Sequence, residues 1–181
     1  LLRTGSRPEQ NLRPKGLTMK LIKTIEQLRA EVAAVRKAGK TVGLVPTMGA
    51  LHAGHISLVK TAVEQCDFNV VSIFVNPTQF APSEDFENYP RTLEQDLEIC
   101  KQQGVDVIFA PTEDQMYPER HLTWVTVEGL TETLCGRNRP GHFRGVTTVC
   151  TKLFNIVSPD TAFFGQKDAQ QALVIRKMVK D

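Results

Sequence analysis

Residues 41–75 read TVGLVPTMGALHAGHISLVKTAVEQCDFNVVSIFV, with two short apolar runs on either side of an amphipathic segment. The first run, 41–45, precedes a proline and the second, 69–75, is rich in β-branched residues, so both are typical of buried strands. Between them we predict a helix from near His55 to about Cys66, based on apolar residues at helical spacing: Ile56, Val59, Ala62 and Val63. A strand, a helix and a second strand in this order indicate one unit of a parallel sheet.

The same alternation continues on both sides of this unit. Thr24 with Gln27 predicts a capped helix that ends at Gly39, and Thr92 with Gln95 predicts another that stops at Gly104. Strands are expected at 105–109 and 161–164, an edge strand at 124–127, and helices at about 145–156 and from 168 onward. We therefore expect an α/β fold with a doubly wound parallel sheet and helices on both faces. Ligands of such folds bind at the carboxyl ends of the strands.

Composition and charge narrow the classes of function. The chain has 181 residues, of which 41% are hydrophobic and 23% charged, as in an ordinary globular domain. The first 18 residues carry four basic and one acidic side chain, and without them the net charge of +2 becomes about −1, so a nucleic-acid partner is not expected. No stretch resembles a secretory signal or a membrane span, which predicts a cytoplasmic protein. We expect 1–18 to be a disordered leader or tag and 19–181 to be one domain.

The four cysteines favour no metal site. Cys66, Cys100, Cys135 and Cys150 are widely spaced and form no CxxC pair. Widely spaced cysteines in an intracellular protein are typically reduced, partly buried thiols.

The segment PTMGALHAGH, residues 46–55, has the features of a phosphate site. It joins a predicted strand to a helix, whose N-terminal amides and dipole attract anions, and Gly49 and Gly54 allow phosphate to approach the backbone. His52 and His55, three residues apart, can both donate to one phosphate. Two other interpretations are that a histidine merely caps the helix, and that the pair binds a metal, which is disfavoured because no third ligand lies nearby.

Three further polar segments follow predicted strands or begin helices. Asn76 and Gln79 present carboxamides that can orient hydroxyls and carboxylates, although Asn76 could simply cap a turn. The basic loop RNRPGHFRG, 137–145, suits an anion, with a solvated surface as the alternative. In GQKDAQQ, 165–171, Lys167 can reach phosphate, unless it is only a solvated lysine beside a helix-capping aspartate. In a doubly wound sheet these segments would face one crevice.

Five motifs together identify a family. PTMGALHAGHISL, FVNPTQF, ENYPR, LCGRNRPGHFRGV and FFGQKDAQQ occur in the order and spacing of the pantothenate synthetases, which the chain resembles from about Met19 to Asp181. The resemblance implies an HxGH nucleotidyltransferase with a Rossmann-like domain, Mg²⁺-ATP as cosubstrate and a homodimer formed through this domain. It also implies a ligase that condenses pantoate with β-alanine through a pantoyl adenylate, releasing AMP and pyrophosphate.

The resemblance implies roles for individual residues. The residues expected to bind ATP are Met48, Gly49, His52, Gly54, His55, Gly165, Lys167 and Asp168. Of these, His55, His52 and Lys167 are expected to be catalytic. The residues expected to bind pantoate or β-alanine are Gln79, Gln171, Asn76, Tyr89 and His142. The magnesium ligands are not identified, and Asp96 is the candidate.

Members of this family continue into a small lid domain, which this chain lacks after Asp181. We therefore expect the chain to fold and bind its substrates but to turn over slowly. Two alternatives are another enzyme with paired histidines, such as a different HxGH nucleotidyltransferase or a class I aminoacyl-tRNA synthetase, and a non-catalytic ATP-binding or dimerisation module. FVNPTQF and GQKDAQQ favour a small acid as substrate, and the lack of basic bias disfavours tRNA.

Overall fold

A computed structural model describes residues 19–81, 84 and 86–181, so the expected leader at 1–18 lies outside the described residues. The strands are β1 (Lys20–Ile22), β2 (Val42–Thr47), β3 (Phe68–Ile73), β4 (Val107–Phe109) and β5 (Thr161–Ala162). The helices are α1 (Ile25–Lys37), α2 (Ala53–Gln65), α3 (Leu93–Gln102), α4 (Glu113–Met116), α5 (Cys135–Asn138), α6 (His142–Val157) and α7 (Ala169–Lys180). Short 3₁₀ turns cover Pro77–Gln79 and Gln166–Asp168. None of the helices in the described ranges has the length and apolar character needed to cross a membrane.

The five strands form one parallel sheet in the order β1-β4-β3-β2-β5. After β2 the chain adds β3 and β4 on one side, and it later returns to place β5 on the other side of β2. The sheet therefore has its topological switch point between β2 and β5, where folds of this kind bind ligands. The prediction of a Rossmann-like parallel sheet is confirmed.

Helices cover both faces of the sheet. Successive side chains of each strand point to opposite faces, and apolar side chains on both faces need to be buried. On one face, alternate strand residues such as Leu44 and Val70 pack with residues of α1, α6 and α7. On the other face, Val45 and Val71 pack with residues of α2 and α3. Parallel strands buried on both sides explain why these segments are almost continuously apolar in the sequence.

The predicted elements around the sheet are mostly present. The hydroxyl of Thr24 accepts from the amide of Gln27 at 3.3 Å, as the capping motif predicts. The second helix begins at Ala53, slightly before the expected start near His55. The strands expected at 105–109 and 161–164 are shorter, because pairing is limited to Val107–Phe109 and Thr161–Ala162. The edge strand Lys20–Ile22 was not expected, since three residues show too little periodicity to predict a strand.

Two predictions about local structure are wrong. Residues 124–127 form no strand. Instead the segment crosses α6, where the Val125 amide donates to the Thr148 hydroxyl at 3.1 Å and the Val125 carbonyl accepts from the Thr147 hydroxyl at 2.6 Å. The capping box at Thr92 is also absent, because its hydroxyl lies 3.3 Å from a carboxylate oxygen of Asp96 and caps no amide.

Candidate active site

A cavity of about 260 Å³ lies at the carboxyl ends of β2, β3 and β5, at the switch point of the sheet. Eight of the predicted site residues line it: Met48, His52, His55, Asn76, Gln79, Tyr89, Asp168 and Gln171. An apolar wall completes it, formed by Phe74, Val146, Val149, Leu153 and Phe164. We call this space the central cavity. It brings together half of the residues expected to contact ATP and four of the five expected to contact pantoate.

His52 caps the helix that follows it. Its Nδ1 accepts from the amide of Gly54 at 3.1 Å, so the ring proton lies on Nε2, on the far side of the imidazole. A Cβ on Gly54 would lie 2.9 Å from the His52 ring, so glycine is what allows the ring to fold over the first turn of α2. The capping interpretation is therefore correct for His52, and it leaves the Nε2 proton for donation to an anion.

His55 stands one turn further along α2 with its ring centroid 4.2 Å from that of His52. Among the described residues its buried Nδ1 has no hydrogen-bond partner. Burial, and to a lesser extent the neighbouring His52, lowers the pKa of His55. At neutral pH the ring is therefore uncharged, with a buried nitrogen that a ligand can satisfy.

The loop between β2 and α2, residues 48–52, has an unusual backbone. Gly49 has φ of +85° and Ala50 has φ of +50°. A positive φ is unfavourable for a residue with a side chain, so other contacts must hold Ala50 in place. This conformation turns the amides of Ala50 and Leu51 away from the cavity towards α3.

Asp96 on α3 supplies those contacts. Its carboxylate accepts from the amide of Ala50 at 3.0 Å and from the amide of Leu51 at 2.8 Å, and its side chain is almost completely buried. Charge-assisted bonds of this kind are about twice as strong as neutral ones. The hypothesis that Asp96 holds magnesium is not supported, since both of its oxygens accept from the protein itself.

On the opposite side of the central cavity, Asn76 and Gln79 are buried and bonded to each other. The Asn76 Nδ2 donates to the Gln79 Oε1 at 3.1 Å, and the Gln79 Nε2 lies 3.2 Å from the sulfur of Met48. Thioether sulfur is a weak acceptor. The Gln79 amide therefore presents to the cavity an N–H group that has only a weak acceptor and can donate to a ligand.

His142 lies behind Gln79 and does not line the central cavity. Its Nδ1 is 2.9 Å from the Gln79 carbonyl, and its Nε2 is 3.0 Å from Arg139 Nη1. A carbonyl only accepts, so Nδ1 carries the proton and Nε2 accepts from the guanidinium. Burial lowers the pKa of His142, which keeps this neutral tautomer.

Two arginines of the predicted basic loop are used inside the protein. Arg139 forms a two-pronged ion pair with Glu84, at 2.5 and 3.0 Å, and its hydrogen bonding lowers the pKa of Glu84 to about 2. The guanidinium of Arg144 stacks over the ring of Trp124 at 4.5 Å. The first contact anchors the loop after β3, and the second anchors the segment before α5. Local sequence patterns do not predict either pair of residues.

Lys167 and Gly165 flank the central cavity without lining it. Lys167 is exposed in the short turn before α7. It lies near enough to His55 to lower the pKa of that histidine slightly, whereas Asp168 acts to raise it. The Asp168 side chain forms no capping bond to α7, so the plain capping interpretation of this residue is wrong. Within the described ranges, no three His, Cys, Asp or Glu side chains cluster in a way that could hold a metal.

We predict that Asp96→Asn destabilises the protein and weakens binding of ATP, the ligand that the resemblance implies. An asparagine amide nitrogen would face one of the two loop amides, and a buried amide without an acceptor costs about 1–3 kcal/mol. Urea denaturation measures the free energy of unfolding, and calorimetric titration measures the affinity for ATP. The control is Glu94→Gln, which removes an exposed carboxylate from the first turn of the same helix. Equal losses in both variants would contradict a special role for Asp96.

The whole described domain matches a known family. A family model for pantoate-beta-alanine ligase matches residues 20–181. The chain is 60% identical over 163 residues to pantothenate synthetase of Acetivibrio thermocellus and 61% identical over 163 residues to that of Moorella thermoacetica. Each alignment covers 90% of this chain and 58% of the relative, so the chain spans less than two thirds of the length of these relatives.

Solved structures agree in fold as well as sequence. Pantothenate synthetase from Thermus thermophilus superimposes with a TM-score of 0.85 at 49% identity, over 90% of this chain and 58% of that one. Pantoate-beta-alanine ligase from Francisella tularensis, complexed with beta-gamma ATP and beta-alanine, gives a TM-score of 0.87 at 42% identity, over 91% of this chain and 63% of that one. The chain therefore belongs to the pantoate-beta-alanine ligase family.

Proposed function

We propose that the central cavity binds ATP and pantoate side by side and joins them as pantoyl adenylate, which β-alanine converts to pantothenate. One observation carries this proposal: His52 and His55, suited to phosphate, line the same cavity as the amide of Gln79, suited to a carboxylate. Two donor sets on facing walls of one cavity suit two ligands that react with each other. The relative from Francisella tularensis was solved in complex with beta-gamma ATP and beta-alanine, which supports ATP and β-alanine as substrates here.

The proposed roles follow the walls of the cavity. The nucleotide lies along the wall formed by residues 48–55 and 165–168, with Met48, Gly49, Gly54, Gly165 and Asp168 as binding residues. His52, His55 and Lys167 donate to its phosphates and are the proposed catalytic residues. Pantoate and then β-alanine lie on the opposite wall, contacted by Gln79, Gln171 and Tyr89, and Asn76 supports this part of the site from behind Gln79. His142 acts behind this wall by holding the backbone of Gln79.

The first step is attack of a pantoate carboxylate oxygen on the α-phosphorus of ATP. An oxygen–phosphorus bond forms, the bond from that phosphorus to the bridging oxygen breaks, and pyrophosphate leaves with the electron pair. In the second step the β-alanine nitrogen attacks the acyl carbon, AMP leaves with the former carboxylate oxygen, and the nitrogen loses its proton to solvent. Imidazole N–H groups that donate to the phosphoryl oxygens would stabilise the charge that builds up there.

Magnesium enters this proposal together with ATP. Because Asp96 is engaged by backbone amides and the described residues offer no cluster of ligands, the ion would be held mainly by the phosphate oxygens of the nucleotide. Mg²⁺ commonly binds in this way, through substrate phosphates and water. We place residues 19–181 in the role of the ATP- and pantoate-binding domain. Because the reaction consumes ATP, the proposed location is the cytoplasm.

We predict that the chain, in excess over ATP, releases pyrophosphate when pantoate is added and releases none with amino acids in its place. His55→Ala should slow this single turnover about a hundredfold, the usual loss when one donor to a transition-state anion is removed. The control is Lys60→Ala, which removes an exposed basic side chain from the same helix. Pyrophosphate release without pantoate, or an unchanged rate for His55→Ala, would refute the proposed chemistry.

We also propose that the chain forms a homodimer through residues 122–134. This segment exposes large apolar side chains that a soluble surface rarely presents together: Leu122 at 76%, Leu134 at 74%, Leu130 at 41% and Trp124 at 36% exposure. A second copy would cover them. In sedimentation velocity we predict a dimer that Leu122→Asp with Leu134→Asp converts to a monomer. Leu173→Asp, at an exposed position on α7, should leave the dimer intact, and a monomeric wild-type chain would exclude this interface.

A further inference from the structure

The side-chain amide of Asn76 can adopt only one orientation. Its Nδ2 lies 3.3 Å from the carbonyl oxygen of Gly145, and a carbonyl can only accept. Its Oδ1 accordingly faces the hydroxyls of Tyr117 at 2.9 Å and Thr78 at 3.0 Å, both of which can donate. The side chain is only 1% exposed, so these positions are shielded from bulk water.

This orientation determines which end of the Gln79 amide faces the central cavity. The second proton of Asn76 Nδ2 bonds the Gln79 Oε1 at 3.1 Å, so Oε1 must point to Asn76. Nε2 therefore points into the cavity, where the Met48 sulfur is its weak acceptor at 3.2 Å. The cavity offers a fixed donor, which suits a ligand carboxylate or hydroxyl oxygen.

We infer that Tyr117 is a positioning residue for pantoate, because its hydroxyl holds Asn76 and Asn76 fixes the donor of Gln79. This inference rests on the proposed function of the cavity. Tyr117 follows α4 and does not line the cavity. Its ring is held by Phe74, with centroids 6.2 Å apart, and by the ammonium of Lys152, 4.9 Å above the ring. Burial raises the pKa of Tyr117, so the hydroxyl keeps the proton it donates.

The carbonyl of Gly145 can reach Asn76 because this position is glycine, since a larger residue would not fit against the 3₁₀ turn. A Cβ at this position would lie 2.4 Å from the carbonyl oxygen of Thr78 and 2.6 Å from the Cα of Gln79. The bare backbone lets the first turn of α6 approach the 3₁₀ turn at Pro77–Gln79. The Gly145 carbonyl is thereby brought within reach of Asn76, which sets the direction of the whole chain of hydrogen bonds.

Calorimetric titration of pantoate, and separately of ATP, tests the role of Tyr117. Tyr117→Phe keeps the ring and removes one buried donor, so we expect the affinity for pantoate to fall about fivefold and the affinity for ATP to stay unchanged. A purely structural defect would weaken both ligands together. The control is Thr151→Val, which removes a hydroxyl of α6 that bonds the sulfur of Met178. Unchanged pantoate binding, or equal losses for both ligands, would overturn the inference.

Gln79→Glu separates this inference from the proposed function. The variant can still accept from Asn76 but presents oxygen, not N–H, to the cavity, so pantoate binding should fall by more than the Tyr117→Phe loss. Wild-type binding by Gln79→Glu would refute the pantoate site itself. Weak binding by Gln79→Glu with wild-type binding by Tyr117→Phe would refute only the role of Tyr117.

A measurement without ligand tests the same contacts. In ¹⁵N correlation spectra, the side-chain amide signals of Gln79 and Asn76 are assigned by their loss in Gln79→Glu and Asn76→Asp. We expect the Asn76 amide protons to exchange slowly with water in the wild type and several-fold faster in Tyr117→Phe. Equal exchange rates in the two proteins would overturn the inference whether or not pantoate binds.

Discussion

The carboxylate of Asp96 accepts from two consecutive backbone amides of the loop between β2 and α2, and the wall of the cavity proposed to bind phosphate depends on this contact. Ala50 has a positive φ, a conformation that costs about 1–3 kcal/mol and persists only where neighbouring contacts enforce it. With the loop held, α2 begins at a fixed point, and His52 and His55 follow on its first turn. The buried carboxylate of Asp96 on α3 thus determines where the two imidazoles stand.

The opposite wall of the cavity is fixed by neutral hydrogen bonds. There the Gly145 carbonyl, the Asn76 amide and the Tyr117 hydroxyl determine the direction of the Gln79 amide. Neutral donors bind a carboxylate less strongly than cations do. They therefore orient the carboxylate and reduce the nucleophilicity of its oxygens less than a cation would. In the proposed reaction, the carboxylate that attacks phosphorus benefits from this difference. In the proposed function the cavity therefore combines a firmly held phosphate site with a weaker carboxylate site, both at the switch point of one sheet.

Sequence patterns predicted the parts of this architecture that depend on local periodicity. The buried strands, the amphipathic α1 and α2 and the loop carrying His52 and His55 are each visible within a few residues. The contacts of Asp96 with Ala50, of Arg139 with Glu84 and of Tyr117 with Asn76 join segments 41 to 55 residues apart, and no local pattern marks such pairs. The strand predicted at 124–127 is absent for a similar reason. The hydroxyls of Thr147 and Thr148 on α6 bond the backbone of Val125, which a neighbouring strand would otherwise have bonded. Asp96 was proposed as a magnesium ligand because its contacts with the amides of Ala50 and Leu51, 46 and 45 residues away, are also not marked by any local pattern.

The most direct test of the account follows one oxygen atom. Pantoate labelled with ¹⁸O in its carboxylate is incubated with the chain, ATP and β-alanine, and the products are analysed by mass spectrometry. If the carboxylate attacks the α-phosphorus, the oxygen that joins it to phosphorus leaves with AMP, so AMP gains one heavy oxygen and pyrophosphate gains none. Heavy oxygen in inorganic phosphate would indicate attack at the terminal phosphorus, and its absence from AMP would contradict the adenylate and the arrangement of the cavity proposed to form it.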